Sequence, residues 1–392
     1  MKRLHEIDGI RGWAALSVFI FHLTWEIFGI RFPEFRLSYL RFFVDGPLAV
    51  CIFFVLSGDA LSSSYLKSLD ENLIHKLIAK RYLRLLGPIL IASFLVYLLM
   101  VCHLTFHMEA ARIVDSMDWL GTFLPFKADF FTTILFGATI VLPGSPSVNS
   151  YNPFLWPMAI EMFGSVAVFC FLIIYKKLRN PLGAASLLAI YLGILGSFYS
   201  LFFVGIAFSI LRTRQHFDRA SRSKYSNLIS FSILGTIVIA ECLLTRNGTI
   251  HHLVGGAAPA IKGTDYHFLS KLTQLLGSHP NPVRARLNLL LSTLVIYAIY
   301  QNSKLTSWMT TRLSVWLGRI SFSLYVTHFS VLISYTSWTI IALSKRNQLG
   351  FLGALFVIGS SIAIALVLAE VCSRIEILYL KRLTVVTNRW FY

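Results

Sequence analysis

Charge is what this chain has least of. Of 392 residues only 14% are Asp, Glu, Lys or Arg, and 56% are hydrophobic, whereas soluble domains carry about 25% charged residues. That composition excludes a soluble enzyme and predicts a polytopic membrane protein. Acids are scarcer still, 18 against 35 Lys and Arg, for a net charge of +17. The bases sit in short clusters between apolar runs, without the stacking platforms that single-strand binders use, so no nucleic-acid partner is expected. Lys and Arg held at the cytoplasmic membrane face account for the excess. The five cysteines (Cys51, Cys102, Cys170, Cys242 and Cys372) form no C-x-x-C, which predicts neither a disulfide framework nor a metal site. A cleavable signal is lacking too. Lys2 and Arg3 precede an apolar stretch, but Trp25 and Glu26 stand where small residues would be, so the first span is expected to remain. No internal repeat of the kind that builds many transporters is visible. The expectation is one transmembrane domain over residues 1–392.

Apolar stretches near 12–30, 47–65, 86–104, 154–175, 182–198, 199–211, 227–245, 286–300, 320–343 and 349–372 predict an all-α bundle of about ten spans with both termini cytoplasmic. Several fall short of the roughly 20 residues a span needs, so 182–211 is either a tight hairpin or one broken segment. Residues 131–143 are read as a re-entrant or interfacial helix, because a full span there would put the basic turn at Lys176, Lys177 and Arg179 outside. The clusters Lys76–Arg84 and Arg212–Lys224 then face the cytoplasm, as the positive-inside rule requires. The loop at 246–285 faces outward. Its His251, His252, His267 and His279 lack metal-ligand spacing and read as solvated residues.

Polar islands inside such spans are costly and point to function. The first is Asp8-Gly9-Ile10-Arg11-Gly12, running into the apolar helix that carries His22. Arg11 and His22 are about three turns and 16 Å apart on one face, with Asp8 and Glu26 near the same stripe. The second is Lys80-Arg81-Tyr82-Leu83-Arg84 at the opening of the third span. Two guanidiniums three residues apart suit a phosphate-rich ligand, and they also suit a snorkelling anchor. The third runs from Asn152 to Glu161. An ionised Glu161 needs a partner, and by depth His22 is within reach. Such a pair would fix the imidazole's tautomer for general-base work; a structural interhelical hydrogen bond is the alternative. In the fourth island Ser321, Tyr325 and His328 follow an i, i+4, i+7 stripe. Ser57 and Gly58 in the second span place small residues where a backbone or a substrate arm could come close.

Taken in order, the stretches D-G-I-R-G-W-A-A-L…F-H at 8–22, F-F-V-L-S-G at 53–58, K-R-Y-L-R-L-L-G-P at 80–88, L-W-P-M-A-I-E-M-F-G-S at 155–165 and L-G-R-I-S-F-S-L-Y-V-T-H at 317–328 resemble the acyltransferase 3 family of integral membrane acyltransferases. The resemblance implies a bundle of about ten helices that moves acetyl or other acyl groups onto glycans, with acyl-coenzyme A as donor. It implies that His22 is the essential first-helix histidine, that Arg11 is the arginine of the opening motif, that Arg81 and Arg84 are the R-x-x-R pair, and that Glu161 is the acid of the W-x-x-x-x-E segment. Pro157, where many members have Ser or Thr, and Asp59 after Ser57-Gly58 depart from the pattern.

The expected activity is therefore O-acyl transfer, acetyl first, from acetyl-coenzyme A as a co-substrate rather than a bound cofactor. The expected acceptor is a carbohydrate, free or lipid-linked, reached from a bacterial inner membrane. His22 and Glu161 are the expected catalytic residues. Arg11, Arg81 and Arg84 are the expected donor ligands, and Asp8, Ser57, Tyr325 and His328 the supporting ones. Trp119, Tyr151 and Trp156 in the outer loops could stack on sugar rings or anchor the interface. A succinyltransferase of the same fold is one alternative. A flippase of a lipid-linked saccharide, with Asp59, Glu161, Glu241 and Glu370 serving ion coupling, is the other.

Overall fold

The structure, a computed structural model, describes residues 4–37, 41–142, 149–217, 224–246 and 282–388. The histidines of the 246–285 loop lie outside the described residues. Among the described residues every regular element is a helix. In chain order these are α1 (His5–Phe21), α2 (Gly46–Ser68), α3 (Glu71–Val101), α4 (His107–Ile113), α5 (Phe130–Thr139), α6 (Pro157–Ile174), α7 (Pro181–Ile194), α8 (Tyr199–Thr213), α9 (Lys224–Arg246), α10 (Pro282–Gln301), α11 (Ser303–Met309), α12 (Arg312–Val331), α13 (Ser337–Lys345) and α14 (Phe351–Asn388). Each of the ten apolar stretches falls mainly on helix, and among the described residues six helical segments are long and apolar enough to cross a membrane. Large apolar side chains such as Leu187, Ile194, Leu352 and Val367 are more than three-fifths exposed, as lipid-facing positions of a bundle should be.

Two expectations need revision, and one open alternative is settled. The third span does not open at Lys80: α3 starts at Glu71, so Arg81 and Arg84 lie well inside a helix. The helix begins early because Asp70 caps it, its side chain accepting from the Asn72 amide at 3.0 Å. The first span is not α-helical throughout; at His22 it widens into a π-helix, His22–Phe28. Residues 182–211 resolve as a hairpin, with Asn180 capping α7 and Gly196 at φ +72° in the turn, a value glycine adopts without penalty. Helix α5, at ten residues, is too short to cross.

The chain divides into two compact units. One comprises Met1–Arg11, Pro47–Ile78 and Ile160–Val315. Within it α7 packs on α8 and α9 on α10, and α2 meets α8 through glycines. A Cβ on Gly58 would lie 2.2 Å from the Phe202 carbonyl oxygen, and one on Gly205 2.2 Å from that of Val55. At this contact the fully buried Asp59 accepts from Arg212 Nη2 and from the Tyr300 hydroxyl, each at 2.7 Å. Arg212 Nη1 reaches Glu6 at 2.6 Å, and its guanidinium lies 4.5 Å over the Tyr300 ring. One cation thus joins α1, α2, α8 and α10.

The other unit comprises Gly12–Gly46, Ala79–Ala159 and Trp316–Tyr392. Here α4 packs on α13, the Phe106 amide donates to the Ile333 carbonyl at 2.8 Å, and Tyr82 donates to the Ala138 carbonyl at 2.8 Å. A second π-helix, Leu332–Thr336, separates α12 from α13.

Removing one member of a buried ion pair strands its partner's charge, at a cost of about 3–5 kcal/mol. Because Glu6 stays beside Arg212, Asp59→Ala is expected at the low end, about 3 kcal/mol. Thermal unfolding of the purified protein in detergent measures it, and Asp59→Ala/Arg212→Met should regain much of the loss.

Candidate active site

The second unit holds the histidines, and helix packing sets where they meet. A Cβ on Gly12 of α1 would lie 2.5 Å from the Gly318 amide nitrogen and 2.6 Å from the Leu317 Cβ on α12. The two backbones therefore touch at this point, a contact small residues permit. His22 and His328 each stand ten residues beyond these glycines, about 15 Å along either helix. Their rings stack at 5.4 Å with an interplanar angle of 12°.

Aromatic side chains complete the pile. Phe154 lies on His22 at 4.3 Å and 5° and on His328 at 5.0 Å and 14°. Trp119 stacks on His22 at 5.2 Å. Phe329 and Phe123 stand edge-on against Phe154. Phe154 is held from both sides of its peptide: Asn152 Oδ1 accepts from the Phe154 amide at 3.1 Å, and the Tyr325 hydroxyl donates to the Phe154 carbonyl at 2.9 Å. Asn152 Nδ2 donates to the Val326 carbonyl at 2.8 Å, which ties the segment to α12.

The polar atoms of the two imidazoles differ from those around them. His328 is buried, and its Nδ1–H donates to the Tyr325 carbonyl at 2.7 Å. That bond leaves Nε2 as the lone-pair nitrogen, and Nε2 is buried without a partner. His22 is half-buried, and its Nδ1 likewise has no partner. An imidazole whose tautomer is fixed and whose other nitrogen is bare, as in His328, has a lone pair available to a proton donor. His22 opens one π-helix and His328 precedes the other by four residues; such widened turns recur at functional sites.

The remaining expected residues are placed as follows. Arg11 Nη2 donates to Ser57 Oγ at 3.3 Å, so these two are brought together, in the first unit. Asp8 is half-buried on α1. Glu161 lies on α6 in that same unit, where its carbonyl accepts from Ser165 at 2.5 Å. The rings placed against His22 are those of Trp119, Phe154, His328 and the adjacent Phe21. Arg81 is buried and Arg84 exposed on α3. Tyr151 is not a platform for sugars: it is fully buried, and its hydroxyl accepts from the Asp129 amide and donates to the Asp129 carbonyl, both at 2.8 Å. Trp156 is exposed.

Phe154 and Asn152 were legible only as neighbours of Glu161, and their N-P-F sequence carried no separate signal. His107, on α4 outside the spans, carried none either. Its Nε2–H donates to the Phe123 carbonyl at 2.8 Å and its Nδ1 is buried without a partner. Burial holds this imidazole below its ordinary value of 6.5, against the opposing pull of the Phe123 hydrogen bond.

Two consequences are measurable. Gly12→Ala must push α1 from α12, an overpacking cost of about 1–3 kcal/mol; transfer activity should fall further than stability, because the imidazoles separate. For His107 the folded value is lowered, so the stability of its neutral form is complete above about pH 6.5 and declines from there down to the folded value. Thermal unfolding across that window should fall more steeply for wild type than for His107→Gln, which keeps a donor and does not titrate.

Comparisons with known proteins give the family. The family model described as an acyltransferase domain, that of acyltransferase 3, matches residues 4–370 and so runs through both units. Among curated proteins the chain is similar to O-acetyltransferase PaAT-1 of Phomopsis amygdali, 25% identical over 377 residues, covering 83% of this chain and 72% of that protein. No solved structure matches. The chain belongs to the acyltransferase 3 family, and it is a multi-pass membrane O-acyltransferase.

Proposed function

We propose that the chain moves an acetyl group from acetyl-coenzyme A to a hydroxyl of a carbohydrate, free or lipid-linked, from a cell membrane in which both termini are cytoplasmic. The observation that supports this reading is the pair of stacked imidazoles, each with a bare buried nitrogen, inside a wall of aromatic rings. His22 takes the proton of the acceptor hydroxyl as its oxygen attacks the thioester carbonyl. The carbon–sulfur bond breaks, and the proton passes from the imidazolium to the departing thiolate. His328 and Tyr325 are supporting residues: the first stacks on the base, and the second holds the Phe154 ring that lies against both. Glu161 is assigned the role of a triad acid, stabilising the imidazolium. Arg11, supported by Ser57 and Asp8, and the pair Arg81 and Arg84 are assigned to the donor's phosphates, for which planar guanidinium forks are suited. Acetyl is preferred among acyl groups because the curated relative is named an O-acetyltransferase.

Two of the four acids that the flippase reading needs are engaged in structural pairings. Asp59 is spent on Arg212 and Tyr300, and Glu370 accepts from Trp316, Arg319 and Arg374.

The test is to express His22→Ala, verify its insertion, and follow acetylation of the cell's glycans by NMR. Loss of a general base costs about 10²–10⁴-fold, so transfer should drop to background; wild-type acetylation would refute the proposal. In purified protein Arg81→Ala/Arg84→Ala should weaken coenzyme A binding at least tenfold, since hydrogen bonds to charged groups contribute about 1.5–3 kcal/mol each. Lys at both positions should recover only part of it.

A further inference from the structure

The chain between α4 and α5 carries two rings of the histidine site and is tied down at definite points. The Phe106 amide starts it with its bond to the Ile333 carbonyl, in the π-turn beyond His328. Ser116 Oγ donates to the Glu26 carbonyl at 2.9 Å, in the π-turn that His22 opens. His107 closes the segment on itself, since its Nε2–H donates to the Phe123 carbonyl, sixteen residues on, at 2.8 Å. The ring is buried and its Nδ1 has no partner, so this is the imidazole's single hydrogen bond. The carbonyl belongs to the peptide that leads into Leu124, whose φ of +54° lies in the left-handed region that a bulky residue rarely enters. Such a backbone persists only where its surroundings hold it.

Phe123 is where that restraint reaches the site. Its ring meets Trp119 at 5.0 Å, Phe329 at 5.2 Å and Phe154 at 5.7 Å, edge-on in each case. Trp119 and Phe154 are the rings stacked on His22, so His107 is coupled to the cover of that imidazole. All of these residues belong to one compact unit.

We propose that His107 is a positioning residue for acyl transfer: through the Phe123 carbonyl it sets the Phe123 ring, which holds Trp119 and Phe154 flat against His22 and keeps water from the acyl donor. This rests on the reading of His22 as the base. The reaction that His107 suppresses is hydrolysis. A water oxygen attacks the thioester carbonyl in place of the acceptor hydroxyl, and the carbon–sulfur bond breaks. The water's proton passes by way of His22 to the departing thiolate, leaving acetic acid and coenzyme A. With the rings loosened, water gains access to the same base, and the acceptor loses the approach that the stack imposes.

His107→Ala removes the donor and His107→Gln keeps one, so the two variants separate the hydrogen bond from the rest of the ring. Purified full-length protein given acetyl-coenzyme A without acceptor should release thiol about two- to tenfold faster in His107→Ala, the range that one neutral hydrogen bond spans. Glycan acetylation by cells carrying this variant, normalised to inserted protein, should fall by a similar factor. A residue that only stabilises the fold moves both activities down together; a positioning residue moves them apart. His107→Gln should stay within about twofold of wild type in both assays, because the hydrogen bond is kept. Phe123→Ala should reproduce the leak with His107 intact. Adding His107→Ala to it should change thiol release by less than about twofold, because the coupling ends with the residue it acts through. Unchanged or slower thiol release in His107→Ala, an equal leak in His107→Gln, or full additivity with Phe123→Ala would overturn the proposal. Should His107→Ala fail to insert, Phe123→Ala without a leak overturns it as well. If instead His22→Ala cells still acetylate their glycans at the wild-type rate, the base assignment fails and this proposal with it.

Discussion

The contact between Gly12 and Gly318 is the constraint on which the histidine site depends. Two helices that touch backbone to backbone at one level, and run in the same direction, bring residues equally far beyond the contact back to a common level. His22 and His328 satisfy that condition, each ten residues on, and their rings meet at 5.4 Å. A side chain at Gly12 would open the crossing, since the Cβ would fall 2.5 Å from the Gly318 backbone nitrogen, and separating the helices would part the rings.

Many polar groups in the spans are matched, because lipid offers none of the hydrogen bonds that water would. Arg212 is shared by Glu6 and Asp59, Glu370 by three donors, and Ser and Thr hydroxyls return to carbonyls of their own helices, as Thr24 does to Ile20 and Thr327 to Ser323. Against that background an imidazole nitrogen with no partner costs free energy. Both His22 and His328 carry one. Under the proposed mechanism the bare nitrogen of His22 is the one that would receive the acceptor's proton, and His107, with a bare buried Nδ1 of its own, shows that such a nitrogen alone does not mark a base.

The sequence made the bundle legible because lipid imposes a long apolar run on every span, and it made His22, Arg11 and the R-x-x-R pair legible because charge inside such runs is rare enough to stand out. What it hid was hidden for definite reasons. The start of α3 was misplaced because Asp70 caps a polar first turn, which hydropathy reads as loop. Phe154 and Trp119 were not visible as walls of the site because an aromatic residue in a membrane protein is ordinary, and only the fold shows that their rings lie parallel to an imidazole. Tyr151 looked available for stacking because composition does not report that its hydroxyl is spent on the Asp129 backbone. His328 was legible as a member of a helical stripe, but its tautomer depends on the Tyr325 carbonyl, which no pattern of side chains encodes.

The orientation of the rings bears on the chemistry. Phe154 covers a face of His22 at 4.3 Å and lies within 5° of parallel to it, so that face is closed to solvent and to substrate. An imidazole's lone pair lies in the ring plane, and a base stacked in this way can be approached only along its edge. An acceptor hydroxyl is thereby directed into one plane, which is how a positioned base gains its advantage over a free one. Under the proposed mechanism the same aromatic wall would displace water, the competing nucleophile for the acyl donor. A small acyl donor carries no bulk with which to exclude water for itself. The protein supplies the exclusion from Phe154, Trp119, Phe123 and Phe329, and leaves the two nitrogens as the polar points within it.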